Sequence, residues 1–366
     1  MSSSSSQKTL FLVGPGLIGG SLLVKLKEVR PDLKLHALTR RKEQADSLSS
    51  LGISPILGSL EDHDVIAEWA AKSDIVIHAA SADDDKGAFA IIDGLTSRPK
   101  NASRAVYIQT SGNDELVNSA RGFAGKSTEE KTLSDVDLDD AALLKRIHPQ
   151  AYHHHVDGPL LKRLLNPAKE KEHNVVGSIM MPPLIYGIGS EPWKRLSIQT
   201  PMLTQAMIDR GTVALPEAGE HEGTSGHWNA VWVHDLVDAY VALLSHLENL
   251  QPGEQKTHIV FPAEKKPFAW REHFAAVASE LKRLGHPSAQ GEPRLLKTRD
   301  DFYEFIGGKE NPYSECFAFL VWGKENSFTS PDLLGSLGFE HKAKGVVDSI
   351  LSGKELEGFI KERLNK

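Results

Sequence analysis

Three glycines, Gly14, Gly16 and Gly19, stand in the stretch Leu10 to Gly20, LFLVGPGLIGG. An apolar run of strand length precedes them, and a stretch with helical spacing begins near Leu17. GxGxxG between a strand and a helix is the dinucleotide fingerprint. The first glycine allows a tight turn, the second lets the backbone approach a pyrophosphate, and the third lets the helix pack on the strand. The helix start adds free N–H groups and the positive end of its dipole, both of which suit phosphate. A glycine-rich turn without a ligand has the same local pattern, so this motif alone leaves that reading open. The next strand, Leu33 to Thr39, ends in Arg40 and Arg41. An Asp or Glu there would hold a ribose 2′-hydroxyl and select NAD. A planar guanidinium instead suits the extra 2′-phosphate of NADP. The alternative is a solvated pair opening the next helix.

Farther along, Thr110-Ser111-Gly112 ends another apolar run and offers a hydroxyl at a strand end. Tyr152 and the consecutive histidines His153, His154 and His155 supply groups able to carry a proton. Imidazole titrates near neutrality, so one histidine facing a cleft could act as acid or base. Three neighbours on a helix fan out by about 100° each and cannot share a metal. The same geometry argues against a metal at Asp83, Asp84 and Asp85, which read as the N-cap and acidic first turn of a helix over Lys86 to Leu95. No metal site is expected. Tyr186, in the run PPLIYG, reads either as lining a cleft or as packing.

The elements that must position these groups alternate. Helical spacing runs from Leu17 to Val29 and stops at Arg30-Pro31. Gly52 to Leu60 reads as a third strand with its exit, Glu61 to Ala71 as a helix, and Asp74 to Ala80 as a strand buried on both faces. The small residues Ala79, Ala80 and Ser81 at its end leave room for a ligand crossing the sheet. Strands follow at Ala105 to Gln109 and Val175 to Met180, with Tyr152 to Leu165 helical. Trp193 to Asp209 also reads as a helix. Val231 to Val233 reads as a short strand before the helix Leu236 to Leu247, with Asp235 as its N-cap, and Thr257 to Phe261 as another strand. Beyond Pro267 the chain reads as mostly helical, Trp270 to Leu284 most clearly, with Leu333 to Phe339 and Val346 to Leu364 at the end. Repeated strand-helix alternation predicts an α/β fold with a doubly wound parallel sheet.

Bulk composition narrows the partners. The 366 residues are 40% hydrophobic and 25% charged, with net charge −7, as in ordinary globular proteins. With no dense basic stripe, neither nucleic acid nor a membrane surface is an expected partner; a small-molecule substrate is. One cysteine, Cys316, excludes an internal disulfide and suits a reducing cytoplasm. No apolar run reaches membrane-spanning length. Residues 1–7, a serine run, read as a disordered start.

Taken in order, VGPGLIGG at 13–20, DIVIHAAS at 74–81, YIQTSG at 107–112, MPPLIYGIG at 181–189 and VWVHDLVDAYVAL at 231–243 resemble the extended short-chain dehydrogenase/reductase superfamily, its epimerase/dehydratase-like group. PDLLGSLGF at 331–339 resembles that group's closing segment. The resemblance implies a Rossmann domain over residues 8–181, rejoined by 231–262, and a smaller, mostly helical substrate-binding part from 182–230 and 263–366. It implies cofactor contacts from Gly14, Gly16, Leu17, Ile18 and Gly19, from Arg40, from Ser59 and Leu60 near the adenine, and from Ala79, Ala80 and Ser81. Pro182 to Leu184 would lie near the nicotinamide. A homodimer through helices beside the sheet is common in such proteins, though no feature of this sequence demands it.

The sequence also departs from the group. Val13 replaces the first glycine of the usual GxxGxxG, and Ser59 stands where Asp is usual. The larger departure concerns catalysis, which in the group uses Ser or Thr with a YxxxK pair. Ser111 matches the serine, but no YxxxK follows it before the strand at 175. Counting back from Asp157 puts Pro149 at the tyrosine position and His153 at the lysine position. The leading expectation is an NADP(H)-dependent oxidoreductase acting on a small carbonyl or alcohol. Ser111 would orient the substrate oxygen, and Tyr152 or His153 would replace the usual tyrosine. The alternatives are a dinucleotide-sensing regulator, like the NmrA-like branch, and an epimerase or dehydratase of the same fold.

Overall fold

The computed structural model describes residues 7–116, 132–137, 151–193, 195–217, 226–314 and 327–364. Cys316, Pro149, residues 1–6, most of residues 117–150 and residues 218–225 lie outside the described residues.

Runs of apolar residues without polar alternation become strands buried on both faces. They are β1 (Lys8–Val13), β2 (Leu33–Thr39), β3 (Ser54–Leu57), β4 (Ile75–His78), β5 (Ala105–Thr110) and β6 (Val175–Met180). Two short strands, β7 (Leu184–Tyr186) and β8 (Ala230–Trp232), pair with each other outside the main sheet. β9 (Ile259–Val260) returns to its edge. The main sheet has seven strands in the order β9-β6-β5-β4-β1-β2-β3, all parallel. Between β1 and β4 the order of winding reverses, and a crevice opens at the strand ends.

Helices cover both faces. On one lie α1 (Leu17–Val29), α2 (Lys42–Ser50) and α7 (Val233–Asn249), whose Leu22, Leu26, Leu48, Leu243 and Leu247 share a core with Leu10 and Leu12. On the other lie α3 (His63–Lys72), α4 (Asp85–Thr96) and α5 (His154–Arg163), contributing Ile66, Ile91, Leu95 and Leu160 to a core with Phe11 and Tyr107. A third core gathers Leu203 and Met207 of α6 (Gln199–Asp209) with Trp270 and Phe274 of α8 (Trp270–Arg283) and Phe302. It forms the second lobe. Among the described residues no helix is long and apolar enough to cross a membrane.

Several boundaries differ from the sequence reading; besides α5, which starts at His154 rather than Tyr152, three bear on how the lobes join. The helix expected from Trp193 begins only at Gln199. Residues 187–197 instead double back, with the Gly189 N–H donating to the Arg195 carbonyl at 2.8 Å and the Ser197 N–H to the Gly187 carbonyl at 3.1 Å. Pro201 would fall in the interior of a helix begun at Trp193, where it lacks the ladder N–H; with the start at Gln199 it lies in the first turn, which needs none, and the cross-loop bonds satisfy the backbone before it. The helix expected over Val346 to Leu364 is two, Val346–Leu351 and Glu357–Leu364. Asp235 is not an N-cap: Trp232 holds that position, and Asp235 sits in the first turn of α7. Its buried carboxylate accepts the N–H groups of Lys342 and Ala343, each at 3.0 Å, and so ties the late chain to the sheet. Asp235→Ala leaves both donors unpaired. We expect a loss of about 2–3 kcal/mol, the scale for hydrogen bonds to a buried charge, read by urea denaturation; an unchanged midpoint would refute the tie.

Candidate functional site

The turn after β1 is closed by contact. Gly14 has φ of 93°, open to glycine, and a Cβ there would collide with Ala80 just past β4. A Cβ on Gly19 would collide with the Gly14 carbonyl. Only at Gly16 is there space, the nearest atom being Nη1 of Arg195 at 3.7 Å from a would-be Cβ. Leu17 and Ile18 open α1, which no side chain caps, so its first N–H groups point into that space. The Ala79 N–H donates to the Val13 carbonyl at 2.8 Å, and Ser81 follows, its Oγ accepting from the Asp83 N–H at 3.2 Å. The cradle that a Cβ would fill, together with uncapped helix donors, fits a dinucleotide pyrophosphate.

The end of β2 is joined to this turn by Gln44, which sequence reasoning missed. Its side chain donates to the Pro15 carbonyl. Its Oε1 accepts from Thr39 Oγ1 at 2.9 Å and from Arg41 at 3.2 Å. Arg40 is exposed and makes no polar contact among the described residues. The N–H and Oγ of Ser59 donate to the Asp62 carboxylate at 2.6 and 2.9 Å. A carboxylate therefore occurs at this turn, three residues later than the resemblance implies, with Leu60 half-buried beside it.

In the strand register Val13 lies beside His78, and His78 beside Gln109. The Ser111 turn therefore leaves the sheet about 10 Å from the glycine turn, two strand spacings away and on the same edge. The Ser111 N–H donates to the Met180 carbonyl at 2.8 Å, and the Asn113 N–H to the Pro182 carbonyl at 3.1 Å, which brings Pro182 and the start of β7 at Leu184 alongside.

Here a polar cluster forms. Ser111 Oγ is hydrogen-bonded to Oδ2 of Asp157, a fully buried residue on α5 whose other oxygen has no partner among the described residues. His153 does not join the helix. It takes a left-handed conformation, φ 68°, and α5 starts at His154. This places its ring between two carboxylates, Nδ1 at 2.8 Å from Asp83 and Nε2 at 3.3 Å from Asp114. A Cβ on Gly112 would stand 3.2 Å from Nε2, so the ring lies against the Ser111 turn. Burial opposes charge on this ring, but Asp114 and Asp83 outweigh it and raise His153 well above the usual imidazole range. The His153 hydrogen bond in turn holds Asp83 below the ordinary carboxylate range. Burial pushes Asp157 up to about 7, against the lowering effects of Ser111 and His153. Tyr152 is half-buried, its ring centroid 6.4 Å from that of His153. Tyr186 is buried, donating to Glu264 at 2.6 Å.

Asp84 caps α4, as the acidic run suggests, accepting from the Gly87 N–H at 3.0 Å. Asp83 next to it turns away to His153. Nothing in the local pattern separates the two. Asp114 carries no sequence signal at all.

A family model described as NAD(P)H-binding matches residues 14–144. Among curated proteins, the chain is 36% identical over 74 residues to 4-hydroxy-2-methyl-3-oxo-4-farnesyl-3,4-dihydroquinoline-1-oxide ketoreductase of Stigmatella aurantiaca. That match spans 20% of this chain and only 22% of the relative. The chain is 25% identical to oxidase ucsJ of an Acremonium species over 68% of its own length and 70% of the other. Among solved structures, UDP-glucose 4-epimerase of Thermotoga maritima superposes with a TM-score of 0.62 at 13% identity, covering 97% of this chain and 99% of that one. With the seven-stranded parallel sheet and these likenesses in hand, the chain has a Rossmann fold like that of UDP-glucose 4-epimerase, and its residues 14–144, which include the glycine cradle, match a family described as NAD(P)H-binding.

Proposed function

We propose that the chain is an NADP(H)-dependent oxidoreductase that interconverts a small carbonyl compound and its alcohol, Ser111 orienting the substrate oxygen and His153 supplying the proton. The observation that carries this reading is His153, held between Asp83 and Asp114 against the Ser111 turn. A charged imidazole beside a hydroxyl, at the strand edge that also bears the dinucleotide cradle, is the equipment carbonyl reduction requires. The named activities of the two relatives, a ketoreductase and an oxidase, belong to the same broad class. Arg40 and Arg41, with no acid beside them at the end of β2, favour the 2′-phosphate of NADP.

Bound NADPH would supply the hydride and its electron pair to the carbonyl carbon. The carbonyl oxygen then needs one proton. His153 gives it from Nε2, the nitrogen with the longer carboxylate contact, and recovers one from solvent, to which its side chain is 17% exposed. Ser111 serves the oxygen best as a donor, and Asp157 decides whether it can. A neutral Asp157 donates to Ser111 and leaves the serine hydrogen for substrate, whereas an ionised one takes that hydrogen. Among the described residues the second oxygen of Asp157 has no partner, which favours the neutral form. Among the described residues, the charged and titratable groups that act on or feel Asp157 include His153, Asp114, Asp83 and Tyr107.

Three outcomes follow. NADPH consumption across an aldehyde and ketone panel should fall by about 10²–10⁴ in kcat for His153→Gln, with NADPH affinity within about twofold. Binding without consumption by the wild type would instead mark a sensor, and equal NADPH and NADH affinities would sink the NADP preference. Reduction should decline as pH rises through about 7, as Asp157 ionises, and Asp157→Asn should flatten that limb; a limb kept by the variant assigns it elsewhere. Asp114→Asn removes a carboxylate that raises His153, so the NMR titration of that ring should move to lower pH; no movement would detach Asp114 from the histidine.

A further inference from the structure

The doubled-back loop at 187–197 joins the two lobes. At its base, the buried Glu355 of the second lobe accepts from the Gly187 N–H at 3.0 Å and from Ser197 Oγ at 3.4 Å, and His234 contacts the Ile188 carbonyl at 3.0 Å. At its tip, the loop lies on α1. The Ser190 N–H donates to Ser21 Oγ at 3.0 Å, and the Trp193 ring stands 2.8 Å from where a Cβ on Gly20 would be. Gly189 is pressed against Ser21 and Leu17. Held at both ends, the loop delivers the Arg195 guanidinium to Gly16, the one open glycine of the cradle.

That guanidinium has no hydrogen bond and no ion pair among the described residues, although burial, and then Arg41 facing it, pull Arg195 below the usual arginine range. Arg195 is half-buried and Arg41 exposed; the two like charges repel each other, and Arg195 also loses hydration. An anion between Arg195 and the first turn of α1 would meet both the guanidinium and the uncapped N–H groups. We propose that Arg195 is a pyrophosphate-binding residue of the dinucleotide site, closing the cradle from the side opposite the glycine turn. The assignment rests on dinucleotide binding at Gly14 to Gly19. It adds a residue from far along the chain, outside the segment that the NAD(P)H-binding model matches.

Titration calorimetry on the full chain tests it with four probes. NADPH, NADH and ADP-ribose carry the pyrophosphate; adenosine 2′-monophosphate does not. In Arg195→Gln, affinity for the first three should fall together by about tenfold or more, the scale of a charge-assisted hydrogen bond, while the monophosphate stays within about twofold. The unchanged monophosphate also shows that the variant is folded. All four affinities within twofold of wild type would overturn the assignment. So would a matching loss for the monophosphate, which would place Arg195 at the 2′-phosphate or in the fold itself. A wild type that binds none of the four would overturn dinucleotide binding as well, an outcome distinct from a wild type that binds and a variant that equals it.

Discussion

Gly14 and Ala80 touch where the winding of the sheet reverses, and the site depends on that contact. β1 and β4 run side by side, and the chain leaving each must turn to opposite faces. Without a Cβ at Gly14 the two exits can close on one another, and the Gly14 carbonyl can lie against Gly19 at the start of α1. The helix is thereby aimed with its uncapped end at the crevice. A side chain at Gly14 would push the β4 exit away and move everything built on it, including the Asp83 that reaches His153. Cofactor cradle and proton-bearing cluster are two consequences of one close approach.

The acid groups of the cluster are kept in different states by different surroundings. Asp83 is tied to a cationic ring and stays ionised, whereas Asp157 is sealed beneath the Ser111 turn and is drawn toward its neutral form. The imidazole is charged because two carboxylates outweigh the cost of burying it. Removing any one member alters the protonation of the others, so single substitutions here will be non-additive. A left-handed residue at the helix start is what makes the arrangement reachable. With helical φ, His153 would lie on α5 and its ring would leave the gap between Asp83 and Asp114.

Much of the fold was legible because burial leaves periodic traces. The continuous apolar runs at 10–13 and 75–77 and the largely apolar stretch 175–180 became buried strands of the sheet, and Leu17–Val29 formed the helix its spacing implied. The site was legible only in part. Glycine identity reports a steric need of the backbone itself, so Gly14, Gly16 and Gly19 could be read directly. Asp83, Asp114 and Gln44 act through partners 29 to 70 residues distant, and no local pattern records such a partner. Asp235 looked like a cap because capping residues and first-turn acids share the same chemistry; what separates them is the pair of N–H groups arriving from Lys342 and Ala343.

The loop at 187–197 shows the same limit from the other side. The expected helix from Trp193 would hold Pro201 in its interior, whereas a start at Gln199 puts that proline in the first turn, and the residues before it bond across the loop instead. Once folded back, the loop is fixed by α1 at its tip and by Glu355 at its base. Both lobes therefore contribute to one surface around Gly16. A shift of the second lobe relative to the sheet would displace Arg195 from the cradle before it disturbed any contact within the sheet. The surroundings of Gly16 thus depend on how the two lobes pack, whereas Asp83, Asp114, His153 and Asp157 lie in the turns after β4 and β5 and around the start of α5.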